Sequence, residues 1–96
     1  MSYTYQSPYG DSLQINIEKS KYGNGHNKIQ LIDAEDGMPY TTASVSIPDL
    51  TKEEVGIKNY SENEGVLTFL LENNIVEPPH RFVQSGFVTI PVCKLK

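Results

Sequence analysis

The strict alternation of apolar and polar residues in Leu13-Gln14-Ile15-Asn16-Ile17-Glu18 constrains this chain most. A period of two puts Leu13, Ile15 and Ile17 on one face, which is the pattern of a half-buried strand in an antiparallel sheet. The flanks agree. Ser7-Pro8-Tyr9-Gly10-Asp11-Ser12 is dense in turn formers and leaves Tyr3-Thr4-Tyr5 as a short preceding strand, with residues 1–10 either an edge strand or a loosely attached arm. Gly23-Asn24-Gly25 supplies backbone freedom for a hairpin into Ile29, Leu31 and Ile32, and Asp36-Gly37 supplies a second hairpin signal. Tyr40–Ile47 reads as one further strand with Thr41, Ala43, Val45 and Ile47 on one side, closed by Pro48. Glu54–Lys58 is a shorter strand with Val55 and Ile57 inward.

The period changes at Ser61. Ser61-Glu62-Asn63-Glu64 has the form of a capping box, and Val66, Leu67, Leu70 and Leu71 then make a helical stripe that Asn73-Asn74 and Pro78-Pro79 end. The spacing predicts one helix over about 62–73, too short to stand without a sheet beneath it. Arg81–Gln84 and Phe87–Cys93 read as extended, with Ser85-Gly86 a bulge or bend between them, and Pro91 points to an edge strand or to an amide facing solvent. The expectation is an α+β fold: a mostly antiparallel sheet of about five to six strands with one helix on one face, in a single domain over 1–96.

Composition excludes several classes. Leu, Ile, Val and Phe make up 25 of 96 residues, about a quarter, which is enough for a small core. A net charge of −4 argues against duplex DNA as the primary partner. No apolar run approaches the ~20 residues that span a bilayer, so no membrane partner is expected. The first residues lack the basic and apolar regions of a signal peptide, and a lone cysteine, Cys93, fits a reducing cytosol.

Chemistry is sparse. Cys93 with His80 is a conceivable nucleophile and base, but a cysteine in an apolar strand usually behaves as a buried hydrophobe. His26, His80 and Cys93 lack metal-ligand spacing, and the acids Asp33, Glu35 and Asp36 lack the later glutamate of a calcium loop, since position 43 is alanine. The reading is therefore no enzyme, no catalytic residues, no metal and no cofactor. Two surfaces could still bind. Tyr60, Glu62 and Asn63 at the helix start, with Glu35 and Asp36 on a hairpin tip, form a candidate partner-binding set. Lys19, Lys21 and Lys28 around the glycine turn form an alternative anion-binding set for a nucleotide-like ligand.

Three stretches, Leu31–Val45, Ile57–Gly65 and Ser85–Cys93, resemble a family of small bacterial proteins of unknown function carried by bacteriophages, plasmids and integrative conjugative elements. The likeness runs from near Lys28 to Cys93, about two-thirds of the chain, and leaves the first 27 residues outside it. It implies a mobile-element setting and carries over no functional residues. Small acidic proteins of such elements are often anti-defence factors that occlude a host protein, so the expected partner is a bacterial protein in the host cytosol. The alternatives are a small-ligand sequestering protein and an assembly protein, a homodimer joined through a sheet edge.

Overall fold

The alternating and β-branched segments do become strands. The structure, a computed structural model, describes residues 2–7, 9–60, 63 and 65–96. It is an α+β arrangement of eight strands in two antiparallel four-stranded sheets, with one short helix. The first sheet is a meander of β1 (Tyr3–Gln6), β2 (Ser12–Lys21), β3 (Asn27–Asp33) and β4 (Pro39–Thr42). Both expected hairpins are present. β2 pairs with β3 from Ile15–Asp33 to Lys21–Asn27 across the Gly23–Gly25 turn, and β3 pairs with β4 across the loop holding Asp36 and Gly37. Gly37 needs its glycine, with φ at +72°.

The second sheet has the order β5 (Ser44–Val45), β6 (Glu54–Ile57), β8 (Val88–Lys94), β7 (Arg81–Ser85). The eight strands exceed the expected five to six for two local reasons. First, Tyr40–Ile47 is not one strand. The Ala43 amide donates to the Ile29 carbonyl at 2.9 Å while its own carbonyl accepts from the Lys58 amide at 2.8 Å. The chain therefore leaves the first sheet after Thr42 and enters the second at Ser44, and the buried partner of the pattern is Ser44 as well as Ala43. Strands that change sheet at a bend are how two sheets make a corner. Second, Ser85-Gly86 is not a mere bend. Ser85 pairs with Val88, so Gly86-Phe87 is a two-residue hairpin turn, with Gly86 at φ +60° as a type II′ turn requires of its first central residue.

Pro91 lies buried in β8, an inner strand, so neither of its two expected settings, an edge strand or an amide facing solvent, is the one observed. The hairpin explains how. The pair that closes a two-residue turn is hydrogen-bonded, so alternation makes Ser85–Val88, Val83–Ile90 and Arg81–Val92 the bonded pairs and asks no amide of Pro91 on that side. On the other side the ladder to β6 ends at Gly56–Val92, one residue before a donor would be needed from Pro91. Gly56 sits where β5 comes closest: a Cβ there would meet the Val45 carbonyl at 3.0 Å and Ile90 at 3.2 Å.

The inner strands of the second sheet, β6 and β8, are covered on both faces, which is why Ile90–Cys93 reads as a continuous apolar run. Val55, Ile57 and Cys93 join Ile15, Ile29 and Leu31 of the first sheet and Val66, Phe69 and Leu70 of the helix in one core. Ile90 and Val92 join Ile47 in a second, with Tyr60 and Val83 packed at its margin. The helix, α1, covers Val66–Glu72, shorter than the expected span. Its expected capping residues Ser61, Glu62 and Glu64 lie outside the described residues. Among the described ones, Gly65 occupies the cap position and Asn59 Oδ1 accepts the Leu67 amide at 2.9 Å. The end is as the sequence reads: the Asn73 side chain donates to the Phe69 carbonyl and Asn74 turns left-handed at φ +58°. β1 is an ordered edge strand paired with β2, and it buries Tyr5 against Phe69, ring centroids 5.1 Å apart.

Candidate functional site

The surfaces proposed from sequence separate once placed on this frame. Lys28 pairs across from Ser20, so it lies on the opposite face of the hairpin from Lys19 and Lys21. Each lysine is also committed within the chain. Lys21 Nζ donates to Asn27 Oδ1, Lys19 Nζ donates to the Lys96 carbonyl at 2.8 Å, and Lys28 Nζ sits 5.5 Å from the Tyr22 ring centre. The hairpin tip itself is docked: Asn24 Nδ2 donates to Ser46 Oγ at 2.9 Å, and His26 Nδ1 hydrogen-bonds the same hydroxyl at 2.8 Å. Lys19 borders an open depression of about 420 Å³ with Tyr3, Asn16, Ile17 and Ile75.

The helix-start set divides in the same way. Asn63 is fully buried, its amide nitrogen donating to the Thr42 carbonyl at 2.7 Å and its oxygen accepting from Thr41 Oγ1 at 2.8 Å. It ties the segment before the helix to the last strand of the first sheet. Tyr60 is half-buried against the second core beneath Lys58, and Glu62 lies outside the described residues.

Glu35 and Asp36 remain outward. The β3–β4 loop is built by its own carboxylates: Asp33 Oδ1 accepts the Glu35 amide and Asp36 Oδ1 accepts the Met38 amide, both at 2.9 Å. The Asp33 amide donates to the Met38 carbonyl at 2.9 Å and the Gly37 amide to the Asp33 carbonyl at 2.8 Å, closing the tip. This places two exposed acids beside Met38, which is 61% exposed, and Tyr40, 38% exposed with its ring edge-on to Tyr5. Glu35, Asp36 and Met38 are thus exposed side chains of one closed loop.

The best-formed polar cluster is one the sequence does not announce. Glu54 opens β6 with its side chain only 8% exposed, and its carboxylate accepts from the Thr51 amide at 3.0 Å, from Arg81 Nη2 at 2.8 Å and Nε at 3.1 Å, and from His80 Nε2. The Arg81 fork and these amide and imidazole donors hold the carboxyl below the ordinary carboxylate range. Both side chains reach one carboxylate because the His80 amide also donates to Val92, the ladder partner of Arg81, so two consecutive residues oppose one as in a β-bulge. Arg81 Nη2 further bonds the Asp49 carbonyl at 2.9 Å. Both oxygens of the Glu54 carboxylate are engaged by other parts of the chain. Its chemistry is that of a clasp joining the 49–54 loop to β7.

Cys93 is fully buried, and burial pushes its thiol up to about 11. The His80 ring is turned to Glu54 through Nε2. Among the described residues no group of three His, Cys, Asp or Glu side chains is placed to hold a metal ion, and no helix is long and apolar enough to cross a membrane. Sequence reading also missed Phe82, 62% exposed, and Phe87, fully exposed at its turn. A glycine directly before Phe87, between two extended runs, was the available signal for a tip residue. No family model, curated protein or solved structure matches the chain.

Proposed function

We propose that this chain is a non-enzymatic binding protein that occludes a basic site on a bacterial protein, with the β3–β4 tip as its contact surface. The observation that carries the reading is the exposure of Met38 next to Glu35 and Asp36 on a loop rigidly closed by Asp33 and Asp36. A rigid tip loses little entropy on binding, and acids around an apolar anchor select a cationic pocket while the net charge of −4 steers the encounter. In this reading the helix covers one face of the first sheet, supported by Phe69 against Tyr3 and Tyr5, and leaves the tip free. The setting is the host cytosol and a mobile genetic element, as the three family-like stretches imply. Small-ligand sequestration stands second: the depression beside Lys19 is its site, but Lys21 and Lys28 serve other contacts.

The test is affinity capture from a bacterial lysate, followed by titration of the captured protein with variants. Glu35→Lys with Asp36→Lys is expected to weaken binding by at least about tenfold, and Met38→Ala by a similar factor if it is an anchor worth over 1 kcal/mol. Equal affinity of all variants for the captured protein would remove the tip from the contact.

A further inference from the structure

A second surface, on the other sheet and independent of the tip, specifies its own partner. β7 is the last strand of its sheet, and among the described residues no strand pairs with its outer side. Because Arg81, Val83 and Ser85 spend their amides and carbonyls on β8, those of Phe82 and Gln84 point outward from the sheet. We infer that a second copy of this chain adds to this edge, β7 against the partner's β7, antiparallel and centred on Val83.

The register follows from the outward groups. Centring on Val83 sets Phe82 opposite the partner's Gln84 and Gln84 opposite the partner's Phe82, and both are hydrogen-bonded pairs. That makes four backbone bonds and uses every outward amide and carbonyl of the two residues. Centring on Phe82 or on Gln84 would make one such pair and leave the other facing the partner's bulge or turn. Side chains agree with the Val83 centre. Arg81 stands opposite the partner's Ser85, so the two guanidiniums never meet, and each is already held by Glu54 and the Asp49 carbonyl of its own chain. The 62%-exposed Phe82 ring lies diagonal to the partner's Phe82, about 7–8 Å away and within reach of an aromatic contact. Arg81 is the strand's one charged residue, at the bulged end and neutralised by Glu54, and from Phe82 to Ser85 the edge carries no charge. An unrelated strand could also bond this edge through its backbone; what favours a copy is the side chains, since the Val83-centred register sets Arg81 against Ser85 and brings the two exposed Phe82 rings onto one face.

The test uses the whole protein. Sedimentation over a wide concentration range is expected to show a monomer–dimer equilibrium. Gln84→Pro removes one outward amide and no internal ladder bond, together with the exposed side-chain bonds to the Gly86 carbonyl and from the Thr89 hydroxyl; it is expected to weaken the dimer at least about tenfold, whereas Gln84→Ala, which loses the same side-chain bonds and keeps the amide, is expected to leave the dimer intact. Phe82→Lys, which tolerates any backbone, is expected to act in the same direction. Register is read by cysteine: at a non-hydrogen-bonded pair the α-carbons lie about 4.5 Å apart, within the ~4.4–6.8 Å a disulfide spans. Val83→Cys is therefore expected to form a linked dimer when diamide takes up the two electrons and two protons of the thiols. Ser85→Cys, about 13 Å from its twin in this register, is expected to stay unlinked. A wild-type monomer throughout, or Ser85→Cys linking as readily as Val83→Cys, would overturn the inference.

Discussion

Replacing Asn63 by alanine tests whether the segment before the helix is a contact surface or a structural tie. The geometry decides for the tie. Asn63 is fully buried, and the variant deletes the bonds to the Thr42 carbonyl at 2.7 Å and from the Thr41 hydroxyl at 2.8 Å. Each buried side-chain bond contributes about 1 kcal/mol net, and a polar partner left unsatisfied adds about another 1 kcal/mol or more. The expected loss is therefore about 3 kcal/mol. For a chain of this size that corresponds to a fall in Tm of roughly 12–24 °C, a large part of the ~5–15 kcal/mol that holds a domain together. Equilibrium urea unfolding followed by far-ultraviolet circular dichroism measures it. Thr41→Val removes one end of one bond and is expected to cost about 1 kcal/mol, and the double variant should lose less than the sum, because the two residues share that bond. An Asn63→Ala loss under about 1 kcal/mol, or strict additivity with Thr41→Val, would refute the assignment and return Asn63 to the surface.

Two further outcomes follow from buried ionisable groups. Glu54 is held below its ordinary value near 4.5 by Arg81, the Thr51 amide and His80, so its contribution is complete above that value and is lost as pH falls further. Urea midpoints measured from neutral to strongly acidic pH are expected to drop below about pH 4.5 in the wild type, with Glu54→Gln weaker at neutral pH and flatter in acid; parallel curves would contradict this. Cys93, with its thiol raised to about 11 by burial, should lose stability between pH 9 and 11 and resist iodoacetamide in the native state at pH 8. Alkylation as fast as in the urea-unfolded chain would show the thiol to be accessible.

What the sequence revealed was local. Gly23-Asn24-Gly25, Asp36-Gly37 and Asn73-Asn74 each determine a turn through their own backbone preferences, and each is where it was expected. The sheet change at Ala43 was hidden, because it depends on Ile29 and Lys58, fourteen and fifteen residues away in the chain. A β-branched run reads the same whether it stays in one sheet or bends into another. Asn63 was misleading for a related reason: after a serine and a glutamate it looks like a solvated first turn, and its burial comes from Thr41 and Thr42 on a distant strand. Glu54 opens a strand like any exposed acid. Its partners come from Thr51, His80 and Arg81, and the bulge that aims two of them has no signature in composition.

The same division between local and distant causes bears on how the two proposed surfaces could work together. The acidic tip is closed by bonds within residues 33–38 of the first sheet, while the β7 edge belongs to the second sheet and is braced by the Glu54 clasp. Neither surface uses a strand of the other, so the backbone pairing of β7 edges consumes no group of either tip. A twofold dimer then presents two identical acidic tips, and a target carrying two basic sites, or a dimeric target, meets the second tip at an effective concentration set by the dimer rather than by the solution. Weak contact at each tip is then sufficient for occlusion. On this argument Gln84→Pro, which touches no tip residue, should weaken capture of a bivalent target and leave binding to a monovalent one unchanged.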